Sequence, residues 1–519
     1  MRRIRTLASV VMLVLAAEAL HAATAWFGLS IPRGLSDPHR AVVDVSKVNP
    51  PAAQVPAGED RFVELGGKRI QQDVAKVVGF SQASRAAGDR LWGRVTGFPA
   101  AKATLDWTAA QLKSAGMKDV QVQEYAAGAD TAMWWASAWE AKLLGDAAFG
   151  AGTRDVVLAS AVPTSGSMMS SASLTAPMVF VGSVTDERLP EVDVKGKVAV
   201  QHLKPQRGAY SERTRTVERA KALSARGAVA VLNVVEQTGN MHIRDFGNCG
   251  APCFNLGTAD GVFLEQAMER AAKTSAPLRI QLSLKADRLT GLKGHNAVGI
   301  VPGKRDEIII VNAHADGWYD AAGDNADGLA VLLAMARHFA KPEHQPERTL
   351  VFVASGGHHS TGLNGPAAFV KMNAELAGRA VMVLNLEHIA QFEFVAGTWN
   401  VNATEQPMNF GIDNASPYLQ ELGQRAMQRY GFRLNPQFTT TVAGDLGGYS
   451  PLGVARVQAI HSGPMYHASG DVLDTISIPG LERAARFYTY FVTEAAKAPR
   501  EQINPAKPPS KATAALAGR

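Results

Sequence analysis

The chain is 519 residues long, with 46% hydrophobic and 19% charged residues and a formal net charge of +6. That length and balance suit about two or three domains with large cores and exclude a disordered chain. The basic residues are dispersed, without a dense run or an aromatic-and-arginine cluster, so no nucleic-acid partner is expected.

At the N-terminus, Arg2, Arg3 and Arg5 precede an apolar stretch at 7–17, and Ala23-Thr24-Ala25 supplies small residues for cleavage. This is the pattern of a secretion signal over residues 1–25, with an apolar part too short to span a bilayer. No later segment is long and apolar enough to do so. The expectation is a periplasmic or secreted protein with no membrane attachment after cleavage. Residues 26–60, rich in Pro and Ala, read as an extended leader.

Residues 61–165 read as a first part of the main domain. A helix at 104–115 ends at Gly116, and a strand alternates over 120–125. Trp134, Trp135 and Trp139 follow as packing residues or as the wall of a cleft. The small polar run at 166–175 marks a boundary. Beyond it, strands at 177–182 and 194–200, a helix at 214–226 and a strand at 227–234 form a smaller α/β module ending near 284. This module lacks clustered His, Asp or Glu at its strand ends, and reads as a non-catalytic insertion over 166–284. Its two cysteines, Cys249 and Cys253, are expected to form a local disulfide, with free thiols the alternative.

Residues 285–497 alternate strand and helix and carry the strongest signal. The β-branched run at 308–311 reads as a buried strand and leads into His314 and Asp316. Asp324 follows within Gly-Asp-Asn-Ala-Asp-Gly, just before an apolar helix at 329–339. A second apolar run, at 349–354, leads into His358 and His359. A third, at 380–386, leads into Glu387 and His388, and a fourth, at 454–460, into His461 and His467. In open α/β sheets, sites form where strands end. Imidazoles and carboxylates gathered at one rim are ligands for zinc and its neighbours. The expected fold is therefore α/β, a mixed central sheet flanked by helices with the smaller module inserted. The Pro- and Lys-bearing stretch 498–519 reads as a disordered tail.

The His314-x-Asp316 pair, the Gly323 to Gly328 turn and the run Met465-Tyr466-His467-Ala468-Ser469-Gly470-Asp471 together resemble the M28-type zinc peptidases. That family includes secreted aminopeptidases and glutamate carboxypeptidases. Residues 166–284 resemble a protease-associated domain, a module inserted in such enzymes. The resemblance implies one or two zinc ions held by His314, Asp324, Glu387 and His467, with Asp324 shared between them. It also implies that Asp316 accepts the second ring proton of His314. The chain departs from the family at His358-His359, where a Glu-Glu pair is usual. His359 is then expected to take the ligand role and His358 the general-base role, the alternative being that only one of the two binds and the other points away, and the metal site holds less negative charge. Asp445 and Asp471 are expected to orient the site, and Trp318 to wall the cleft. The implied activity is hydrolysis of a peptide or an N-acyl amino acid. The alternative is a catalytically silent binding protein that keeps the fold.

Overall fold

The computed structural model describes residues 25–205, 212–244, 249–274, 276–436, 444–461 and 463–505. The stretch read as a secretion signal, except Ala25, and the tail beyond 505 lie outside these residues. Residues 498–505 do not behave as a tail. Arg500–Ile503 is a short helix, Ile503 is buried, and Asn504 bonds the backbone of Val381 and Ala455. An apolar side chain and a satisfied amide dock this segment where composition alone suggested disorder.

Eight strands build the central sheet: β1 (Lys118–Ala126), β2 (Lys293–Val301), β3 (Arg305–His314), β4 (Arg348–Ser355), β5 (Ala380–Leu386), β6 (Met408–Ile412), β7 (Leu434–Pro436) and β8 (Ala455–Ile460). Their order across the sheet is β7-β6-β8-β5-β3-β4-β2-β1. The inner strands β8, β5, β3 and β4 are mutually parallel, while β2 pairs antiparallel with both β4 and β1. Parallel strands end on the same side, so His314, Glu387 and the residues after β4 and β8 meet at one rim.

The strand period of two explains the layers. On β3, Ile309, Val311 and Ala313 face one core, and Ile308 and Ile310 face another. The first core packs against helices Gly67–Ala86, Asp327–Phe339 and Ile478–Lys497. The second packs against Gly365–Met372 and the 3-10 turns of Gly444–Leu452. Helix Asp327–Phe339 is buried on nearly every side, as its continuous apolar sequence requires. Each of its Leu and Val side chains stabilises the fold by roughly 1.5–3 kcal/mol. Helix Ile478–Lys497 is set by Ser477, whose hydroxyl accepts from Gly480 N, with a proline in the first turn.

A second eight-stranded sheet takes its strands from Met133–Leu143 through Arg279–Leu289. Its strands Ser173–Ser183, Val198–Leu203, Ala230–Val235 and Cys253–Leu256 run parallel. Met133–Leu143 pairs along its length with Arg279–Leu289. The sheet is thus wider than the 166–284 read from composition. Trp134 and Trp139 face the core of this sheet, so the tryptophan strand pairs away from the central sheet. Cys249 and Cys253 are joined by a disulfide. No helix among the described residues is long and apolar enough to cross a membrane.

The two sheets meet beside the rim. Ile243 forms a bridge with Ala468, and Ser469 N donates to His242 O at 2.9 Å. Met241, Ile243, Met465 and Ala468 share one apolar cluster.

Candidate metal centre

Asp324 stands at the middle of the rim. Its two oxygens face different groups. Oδ1 lies 3.3 Å from His314 Nε2 and 3.1 Å from His388 Nε2. Oδ2 lies 3.2 Å from His359 Nε2 and 3.5 Å from His467 Nε2. Glu387 Oε1 completes the first set at 3.8 Å from His314 Nε2 and 3.7 Å from His388 Nε2. The donor atoms of His314, Asp324, Glu387 and His388 lie within 4.8 Å of one another, as do those of Asp324, His359 and His467. The chain therefore brings together all five residues expected to bind metal, and adds His388.

Each side chain is held from behind. Asp471 fixes the Asp324 turn: its carboxylate accepts from Gly323 N at 2.7 Å and Asp324 N at 3.0 Å, and from Gln391 Nε2 at 2.7 Å. Asn312, on β3, supports two residues at once. Its Nδ2 donates to Asp445 Oδ2 and to Asn385 Oδ1, and Asn385 Nδ2 donates to Glu387 Oε2 at 2.8 Å. Asp445 Oδ1 in turn accepts from His358 Nδ1 at 2.8 Å. Tyr449 Oη donates to Asn312 Oδ1, which spends its hydroxyl inside this network.

Asp316 has a different task from the one the family resemblance implied. His314 Nδ1 bonds the carbonyl oxygen of Asp316 at 3.0 Å, while the carboxylate stands off at 3.6 Å. The carboxylate instead accepts the backbone amides of His358, at 3.3 Å, and His359, at 3.0 Å. It therefore fixes the loop that delivers both imidazoles. Gly357, at φ +88°, makes the turn before them, and an added Cβ would lie 2.4 Å from Leu363 O. Tyr319, Ala321, His388 and His467 also hold positive φ, a concentration of backbone strain beside the rim.

His358 stacks on His314 with ring centroids 4.1 Å apart and planes at 12°, and its Nε2 lies 3.7 Å from Glu387 Oε1. Trp318 packs on His359 and His467 at 4.9 and 4.6 Å, and Tyr466 stacks on His467 at 3.5 Å.

The electrostatics draw positive charge into this pocket. Burial works against charge on His314, yet Asp316, Asp324 and Glu387 hold its imidazole well above the usual histidine range. Burial likewise opposes His388, and Asp324 and Glu387 still push it up to about 9. Burial favours the neutral form of Asp324, but His359, His388 and His314 hold it far below the carboxylate range. His359 is the exception: burial pulls it down to about 4 against the pull of Asp324, leaving the neutral imidazole that a metal needs. Burial and then the charge on His314 press the His358 imidazole down, but Asp445 and Glu387 outweigh them and raise it.

The donors fit a divalent ion. His314 Nε2, Asp324 Oδ1 and His388 Nε2 are buried, yet none has a hydrogen-bond partner among the described residues. Such atoms are costly to leave unpaired, and one shared cation satisfies all three. Imidazole nitrogens with carboxylate oxygens are a zinc donor set. The sequence places His388 at this rim as a supporting residue rather than a ligand. Its positive φ of 54° turns its ring back toward Asp324.

Residues 296–492 match the sequence profile of peptidase family M28. Most of the chain shares its fold with solved structures. A zinc aminopeptidase from Bacillus subtilis aligns at 22% identity and TM-score 0.57, over 85% of this chain and 98% of that one. An M28 peptidase precursor from Shewanella amazonensis aligns at 19% identity and TM-score 0.61, over 83% and 98%. An aminopeptidase from an Aneurinibacillus strain aligns at 19% identity and TM-score 0.54, over 87% and 99%. No curated protein sequence gives a significant match.

Proposed function

We propose, from the match of residues 296–492 to the peptidase family M28 profile, that the chain is a metal-dependent exopeptidase or hydrolase of N-acyl amino acids acting outside the cytoplasm. The observation that carries this reading is Asp324, with one oxygen facing each of two donor sets. His314, Asp324 and Glu387, with His388, would hold one zinc ion, and Asp324, His359 and His467 a second. A zinc pair supplies Lewis acidity and a water acidic enough to ionise near neutral pH.

The chain's own groups do the rest. His358 keeps its Nδ1 on Asp445 Oδ1, which leaves Nε2 as the free basic nitrogen beside Glu387. That tautomer takes a proton at Nε2 and returns it to the leaving amine, the task usually given to a glutamate here. Asp445 is the positioning residue for His358, and Asp316 for the His358–His359 backbone. Trp318 and Tyr466 wall the opening and limit water. The secretion signal read over 1–25 and the Cys249–Cys253 disulfide support an oxidising compartment. We read the second sheet as a protease-associated domain that lends its 241–244 segment to the rim.

The test is hydrolysis of aminoacyl-p-nitroanilides and N-acetyl amino acids by chelated and zinc-reloaded protein. Zinc is expected to restore turnover, and His358→Ala to lower kcat by about 10²–10⁴ with metal content unchanged. Equal, negligible rates with and without zinc would leave only the binding-protein alternative.

A further inference from the structure

We propose that Arg244 is a receptor that selects substrates bearing a free carboxylate. This deepens the peptidase reading above and rests on it. Arg244 sits where the second sheet reaches over the rim. Its backbone amide donates to His467 O at 2.8 Å, and its neighbour Ile243 bridges to Ala468. The guanidinium lies over the rings of Trp318, at 4.4 Å, and Trp135, at 5.1 Å. Trp318 in turn packs on His359 and His467. One indole thus separates a guanidinium from the imidazoles of the proposed metal centre.

What marks Arg244 is its lack of an acceptor. It is 6% exposed, and its Nε and Nη1 are buried with no hydrogen-bond partner among the described residues. The other buried arginines all have acceptors, and Arg219, with only its Nε unpaired among the described residues, donates to Val181 O and lies 3.8 Å from Asp186. Arg94 donates to Ser81 and to the carbonyls of Ala315, Asp320 and Ala321. Arg348 is held by Glu307 and by carbonyls at the end of helix Ile478–Lys497. Arg483 and Arg486 pair with Glu405 and Glu482.

No described carboxylate reaches Arg244. Burial pulls its guanidinium down to about 10, opposed only by the Tyr319 phenol, so it stays charged at neutral pH. Tyr319 Oη and Trp318 Nε1 beside it are also buried without partners. The unsatisfied groups here are N–H and O–H donors. A buried, unpaired guanidinium is costly, and stacking on indoles supplies no acceptor for its N–H groups. A carboxylate is the ligand that fits its fork, in bidentate geometry. The C-terminal group of a short peptide and an acidic side chain share that chemistry.

Three peptides separate these sources on the zinc-loaded full-length protein: Leu-Ala, Leu-Ala-amide and Leu-Glu-amide. In the wild type, kcat/KM for Leu-Ala or Leu-Glu-amide is expected to exceed that for Leu-Ala-amide by about tenfold or more. Whichever acid is favoured identifies the source. Arg244→Gln is expected to reduce the ratio to below about threefold, and Arg244→Lys to recover part of it. Ratios that are the same in wild type and Arg244→Gln would overturn the proposal. Succinate binding, read from indole fluorescence, decides the question independently of turnover. Its Kd is expected to rise about tenfold or more in Arg244→Gln, and an unchanged Kd overturns the receptor. Succinate binding lost in Arg244→Gln, with no peptide hydrolysed, keeps the receptor and sinks the peptidase. Hydrolysis of all three peptides at equal rates, with no succinate bound, does the reverse.

Discussion

Asp324 lies with Oδ2 3.2 Å from His359 Nε2, on the side opposite the oxygen that faces His314 and His388. One carboxylate therefore joins two donor sets, and the second of them contains two imidazoles and no further acid. Coulombic attraction for a divalent ion is weaker there than at the Glu387 side.

Restoring a carboxylate tests that asymmetry. His359→Glu adds a negative charge beside Asp324 and is expected to tighten zinc at the His467 side by about tenfold or more, a gain of about 1.4 kcal/mol. Competition against a chelator of known affinity measures it. Unchanged affinity would show that His359 lies outside the metal's reach.

His388 is expected to act as a ligand for the His314 ion. His388→Asn keeps a residue that tolerates φ 54° but removes the nitrogen 3.1 Å from Asp324 Oδ1. Affinity for one of two zinc ions should fall about 10- to 100-fold, read by stepwise calorimetric titration. Equal or tighter binding would make His388 a counter-charge that a metal displaces.

Much of this site was legible in the sequence, for a physical reason. A buried parallel strand announces itself as an apolar run, and its first polar residue marks the rim; His314, Glu387 and His358 were placed that way. Asp324 was placed by the turn that precedes an apolar helix, and its shared role was implied by the family resemblance. Long-range partnerships were not legible. The tryptophan strand Met133–Leu143 pairs with Arg279–Leu289, far along the chain, a partnership that no local pattern carries. Asp316 was given its ring-orienting task by the family resemblance, but the amides of a loop some forty residues on claim its carboxylate. Arg244 carries no sequence signal at all; it is notable only for the acceptors that folding withholds from it.

Gly357 is expected to be irreplaceable. At φ +88°, with Leu363 O 2.4 Å from any added Cβ, Gly357→Ala must shift the backbone that carries His358 and His359. A loss of about 1–3 kcal/mol in stability is expected, together with weaker zinc binding at the His359 side. Calorimetric melting and metal analysis measure the two effects. A variant with wild-type melting temperature and metal content would contradict the steric account.

Acid stability depends on Glu64, far from the rim. Burial favours its neutral form, but hydrogen bonds from His338, at 2.9 Å, and Lys341, at 2.6 Å, pull it down to about 2 from an ordinary value of 4.5. A depressed carboxyl stabilises the fold above its unfolded pKa and loses that contribution as pH falls through the folded value. The stability difference between wild type and Glu64→Gln should thus be about 2 kcal/mol near pH 7 and shrink between about pH 4.5 and pH 2. Denaturant unfolding across that range measures it. A difference that stays constant with pH would remove Glu64 from the acid response.

The central claim is a pair of cations sharing Asp324. A crystal grown with zinc and measured at the zinc absorption edge tests it directly. The account predicts two anomalous peaks about 3.5–4 Å apart, one against His314, Asp324 and Glu387, the other against Asp324, His359 and His467. Zinc-soaked crystals with no anomalous density within reach of Asp324 would contradict it.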